Sequence, residues 1–86
     1  MTDILVVCET FKEATILHKS VASSFLPYVY GVDFIKKTIL LRRDVSMKFT
    51  SEELYRRNER FGFRGTVVSS GRIWKLLDEC VKEKGE

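Results

Sequence analysis

The chain is poor in the residues that build linkers, disulfide frameworks and metal centres. One proline and five glycines in 86 residues leave little material for a flexible connector, so residues 1–86 read as one compact domain without a linker. Cys8 and Cys80 stand too far apart for a CxxC redox or metal pair, and the chain has a single histidine. Both cysteines are therefore expected to be reduced core thiols, and no metal or cofactor is expected. Long apolar runs are missing too. The longest, ILVVC at residues 4–8, is far short of the ~20 residues of a bilayer helix, so no membrane partner is expected. The opening MTDILVV has neither a basic start nor a cleavage-like ending. It reads as that of a non-secreted, cytoplasmic or otherwise intracellular protein.

What remains is the composition of an ordinary globule, 44% hydrophobic and 31% charged, without internal repeats or low-complexity tracts. A domain of this size buries only about 60–65% of the surface its unfolded chain would expose. The net charge of +3 is unevenly spread. Residues 1–35 carry two basic and four acidic groups, and residues 65–86 carry four of each. Residues 36–64 hold nine basic and four acidic groups, a local +5. A basic middle is the composition's strongest functional hint, because clustered Lys and Arg attract phosphates.

Hydrophobic periodicity gives the elements. DILVVC is a strand covered on both faces. Thr10 and Glu13 form a capping box that opens a helix, with Phe11, Ala14, Leu17, Val21 and Phe25 as its apolar stripe. Pro27 ends that helix near Leu26. YVYGVDFI and KTILLRR read as two further strands, and the short gap at Lys36–Lys37 predicts a hairpin or one long bent strand. TSEE, with Thr50 as cap, starts a short helix reaching about Arg60. GTVVSS is a fourth strand. Ser70 caps a last helix whose apolar face is Ile73, Trp74, Leu77, Cys80 and Val81. Gly85 follows its last turn, in which Lys82 and Lys84 suit the helix dipole. The expected fold is a small single-domain α/β sandwich in β-α-β-β-α-β-α order. Its mixed four-stranded sheet is packed by two longer helices and one short one.

The stretch RRNERFGFRG, residues 56–65, carries the sharpest functional expectation. On a helix, Arg56, Arg57 and Arg60 share one polar side, and Arg64 follows through a short loop. The cluster can grip phosphates while Phe61 or Phe63 stacks on a base. Arg42, Arg43 and Lys48 extend the basic set, although Arg42 and Arg43 face opposite ways on a strand. In the competing reading Phe61 and Phe63 are core anchors, and Glu52, Glu53 and Glu59 partly neutralise a solvated arginine face. FGFRG is similar over five residues to the RNA-recognition sheet motif, but GTVVSS supplies none of the further rings that motif uses.

VVCETFKEAT is similar in outline to the phosphocysteine loop of phosphotransferase B domains, where a helix start activates a thiol. Here Glu9 opposes both a thiolate and a bound phosphate. The segment is also similar to the opening of topoisomerase-primase domains. These hold magnesium with paired aspartates, whereas Asp33 and Asp44 stand singly. Neither family is assigned.

Two smaller candidates remain. Ser69, Ser70, Gly71 and Arg72 could bind an anion at the start of the last helix, and would share an edge with Glu9–Thr10 if the sheet is parallel there. Tyr28 and Tyr30 fall on one face of their strand and could contact a partner. His18 lies in the first helix beside the apolar stripe, with no serine–histidine–acid set to join, and no catalytic residue is expected. The expected function is that of a small non-catalytic nucleic-acid-binding protein, with DNA or RNA held mainly by phosphate contacts. The alternative is a small regulatory protein–protein interaction module, possibly a homodimer.

Overall fold

In the computed structural model, which describes residues 2–42, 44–59 and 62–79, the run ILVVC lies at the heart of a five-stranded sheet. Strand β1 (Thr2–Cys8) pairs in parallel on both sides, with β4 (Val45–Ser51) and with β5 (Thr66–Ser69). A hairpin of β2 (Val29–Asp33) and β3 (Thr38–Leu41) adds to β4 antiparallel, giving the order β2-β3-β4-β1-β5. Two parallel neighbours explain the continuous apolar run of β1, since both of its faces are covered. Ile4, Val6 and Cys8 face one side and Leu5 and Val7 the other, and all but Val7 are buried.

The fifth strand corrects the expected four. VSMKF, residues 45–49, alternates apolar and polar and forms most of β4, where Val45, Met47 and Phe49 are buried. The adjoining TSEE signature competes with this period-two pattern, and it also misplaces the cap. Thr50 sits inside β4, and the Oγ of Ser51 accepts from the Leu54 amide at 3.2 Å. The helix that follows, α2, is one turn (Glu52–Leu54) that widens into a π-helical turn, Tyr55–Glu59.

Helix α1 (Phe11–Ser24) starts as expected, with the Glu13 amide donating to Thr10 Oγ1 at 3.0 Å. The Glu13 carboxylate reaches back to the Glu9 amide at 2.7 Å. Ala14, Val21 and Phe25 bury against the sheet and Leu17 packs partly against it, but Phe11 does not join them. His18 takes its place, one turn from Ala14 and from Ala22 on the same face. Its ring stands edge-on to Phe34 and Phe49, and Nε2 lies 3.1 Å from the Thr38 carbonyl oxygen. Pro27 falls in a 3-10 turn, Leu26–Tyr28, that leads into β2.

The last helix, α3 (Ile73–Leu77), follows a 3-10 turn, Ser70–Arg72, so Ser70 opens that turn instead of capping the helix. Ile73 and Leu77 join the α1 side of the core, and Trp74 stacks on Phe25 with ring centroids 6.1 Å apart. Cys80, Val81, Lys82, Lys84 and Gly85 lie outside the described residues. Helices α1 and α3 thus cover one face, while Tyr55 and Arg56 flank Val7 and Val67 on the other. The result is one α/β domain with a mixed sheet packed by three helices. Among the described residues, no helix is long and apolar enough to cross a membrane.

Candidate functional site

The arginines form i, i+4 pairs with glutamates on their own segment. Arg56 Nη2 lies 3.2 Å from Glu52 Oε2, and Arg57 Nη2 lies 2.9 Å from Glu53 Oε2, all four side chains well exposed. Such pairs contribute only about 0.3–0.5 kcal/mol each, but each carboxylate offsets the charge that its arginine offers to a phosphate. Arg42 and Arg64 lie elsewhere. Both precede strands, β4 and β5, at the amino end of the parallel sheet, whereas Arg56 and Arg57 follow the carboxyl end of β4. Those ends are roughly 20 Å apart along a seven-residue strand. Lys48 is exposed on β4, between the two ends, and Phe63 is half-buried. Arg43, Arg60 and Phe61 lie outside the described residues.

The pairing of β1 with β5 is parallel, with Val7 opposite Ser69, so the turns after both strands meet at one edge. A crevice of about 540 Å³ opens there, lined by Val7, Glu9, Glu52, Tyr55, Arg56 and Ser69 among others. Its charged groups are two carboxylates and one guanidinium, and the guanidinium already pairs with Glu52. The Glu9 amide is taken by Glu13. Ser70 also lines this crevice, but Gly71 faces a hollow between α1 and α3, and Arg72 one beneath β5 beside Lys75 and Glu79. The Cys8 thiol is buried, and that burial, with the nearby charge of Glu13 adding to it, pushes its pKa up to about 11. It is a protonated core thiol rather than a nucleophile. Among the described residues, no three His, Cys, Asp or Glu side chains gather as a metal set.

The two tyrosines part company. Tyr28 ends the 3-10 turn and packs half-buried on Phe25, its ring 5.8 Å from the Arg42 guanidinium. Tyr30 sits at a bulge between Val29 and Gly31, 71% exposed. Around it lies a surface that sequence reasoning missed. Leu26 is 67% exposed, Phe34 59% and Ile35 90%; Leu26 precedes the outermost strand, β2, and Phe34 and Ile35 follow it. A groove of about 540 Å³ beside them is lined by Ala22, Leu26, Val32 and Phe34, with Lys19 and Ser23. The turn carrying Phe34 and Ile35 is firmly held. Asp33 Oδ1 accepts from the amides of Ile35 and Lys36, both at 2.9 Å, and Lys37 takes the left-handed conformation at φ 55°. The Asp33 carboxyl is held below its ordinary range, first by the Lys36 amide and then by the Ile35 amide and the Lys36 charge. The signal in the sequence was LPYVYGVDFI, ten residues with one charge. The chain matches no family model, no curated protein and no solved structure.

Proposed function

We propose that the protein is a small interaction module that binds a protein partner along the outer edge of β2. The observation that carries this reading is the exposed apolar line Leu26, Tyr30, Phe34 and Ile35 beside an outermost strand. Edge strands are usually guarded by lysine, proline or an inward charge. The strand VYGVD has no lysine, arginine or proline, and its one charge, Asp33, is tied into the turn. An added strand would gain main-chain hydrogen bonds there, and the Leu26–Phe34 groove would select its side chains. The anchoring of Phe34 by His18 supports a preformed surface, which lowers the ordering cost of binding. The test is a photo-crosslinking residue at position 35, activated in living cells. A discrete protein adduct is expected, and its loss when Tyr30→Glu is added. A chain that gives no adduct at 30 or 35 would sink the reading.

A second reading, nucleic-acid binding, is supported by the exposure of Arg56 and Arg57, whose weak ion pairs a phosphate could displace. Anisotropy of short labelled DNA and RNA across a salt series decides it. Salt-dependent micromolar binding that weakens on changing Arg56, Arg57, Arg60 and Arg64 to alanine would favour it. No binding at about 50 mM salt would retire it.

A further inference from the structure

Resting on the interaction reading above, we infer that the β2 edge takes an acidic peptide segment of its partner, an apolar anchor flanked by aspartate or glutamate. The charge around the groove carries this inference, and the shape of the groove narrows it to a peptide.

The charge is one-sided. Lys19 lines the groove together with Leu26 and Phe34. Lys36 and Lys37 follow Phe34 and Ile35 in the turn, and Lys37 Nζ donates to the Phe34 carbonyl oxygen at 3.4 Å. Arg42 lies over the Tyr28 ring, 5.8 Å from its centre, where β2 begins. Four cations thus rim the exposed apolar side chains, and none of the four forms an ion pair with a described carboxylate. The one acid of the strand, Asp33, is already engaged by the amides of Ile35 and Lys36. The other end of the molecule is arranged differently, because Arg56 and Arg57 each meet a glutamate of their own segment. Cations left unpaired around an apolar groove complement a ligand that brings the missing negative charge. Such a rim steers that ligand in and rejects basic partners.

The shape calls for a side chain. The groove is a hollow of about 540 Å³ with Ala22, Leu26, Val32 and Phe34 among its walls, within the ~300–1,000 Å³ range of ligand pockets. A large apolar side chain entering it passes beside Lys19, so an acid next to the anchor meets a cation at once. A flat anionic bilayer would touch Ile35 and Phe34 but leave the hollow unfilled, and the groove therefore favours a peptide. The Phe34 wall is held by the edge-on His18 ring and by the Asp33 turn, so a peptide meets a surface already in place.

Panning random short peptides on the full chain at low salt tests this. Selected sequences are expected to combine a large apolar residue with net negative charge, and their binding should weaken as salt rises. Anisotropy of the leading peptide then compares Lys19→Glu, Lys36→Glu and Lys75→Glu. All three lysines are exposed, Lys75 at the opposite edge beside β5, and circular dichroism checks that the variants fold. The first two should each weaken binding by about 5-fold or more, and Lys75→Glu by less than about 2-fold. Binding that neither Lys19→Glu nor Lys36→Glu weakens, or that all three weaken equally, overturns the inference. Neutral or basic peptides whose binding Tyr30→Glu abolishes overturn the acidic class and leave the edge as an interaction surface. Selection of no peptide overturns it too, and co-sedimentation with phosphatidylserine vesicles that Ile35→Glu abolishes would then assign the surface to a membrane. No peptide, no vesicle binding and no adduct from position 35 retire the interaction reading as well.

Discussion

The two halves of the sheet solve opposite problems. In the parallel half, β4-β1-β5, the apolar side chains are nearly all inside and the charges outside are balanced. Arg56 and Arg57 are paired, and the free edge at β5 runs beside Arg72, Lys75 and Glu79. In the hairpin half, β2-β3, one face joins the core through Ile39, Leu41 and Val32, yet the outer edge keeps Leu26, Tyr30, Phe34 and Ile35 in solvent. Exposed apolar residues scattered singly need no explanation, but four of them on and beside one unguarded edge strand do. The difference separates where the molecule is stabilised from where it is available to bind.

That division is easiest to break with side-chain truncations. Phe49→Ala removes a 2% exposed ring that touches His18 in the core and should cost about 3–5 kcal/mol. Ile35→Ala should cost less than about 0.5 kcal/mol. Urea unfolding of both compares them, and equal losses would erase the distinction. Gly65→Ala comes next, because a Cβ at that position would collide with the backbone carbonyl of Asp3. The entry of β5 must then shift, at a cost of about 2 kcal/mol or more.

The buried thiol gives a pH signature of the parallel half. Cys8 ionises only near 11 in the folded chain, above its ordinary 9.0, so its contribution is intact below pH 9. Between pH 9 and 11 the unfolded chain loses this proton first, and stability should fall by about 1.4 kcal/mol per pH unit. Comparison with Cys8→Ala isolates the effect, and parallel curves would refute it. A gain is expected from Thr50→Val. The Thr50 hydroxyl oxygen is buried without a hydrogen-bond partner, and replacing it with a methyl should raise stability by about 1 kcal/mol. A small effect is also expected at the arginines. Arg56→Ala with Arg57→Ala should change stability by no more than about 1 kcal/mol in total. A larger loss would mean that this segment holds more than its own ion pairs.

Where burial follows from local pattern, the sequence was a sufficient guide. The five apolar residues of β1, the Thr10–Glu13 cap and the hairpin at Lys36–Lys37 all have causes within a few residues of themselves. The β4 strand was legible too in the alternation of VSMKF, but an adjoining capping signature competed for it, and Ser51 rather than Thr50 proved to be the cap. His18 on the buried face needed knowledge of a partner, the Thr38 carbonyl, twenty residues away. The surface at β2 was the least legible part. Whether LPYVYGVDFI is an inner strand or an outer one depends on strand order, which no local pattern encodes. The arginine cluster showed the reverse fault. It was conspicuous as composition, but the fold sends Arg42 and Arg64 to the opposite end of the sheet from Arg56 and Arg57.

Photo-crosslinking compared at the two edges of the sheet tests the central claim most directly. The account predicts discrete protein adducts from position 30, on the β2 edge, and none from position 67, on the β5 edge. Adducts from position 67 alone, or none from position 30, would contradict it.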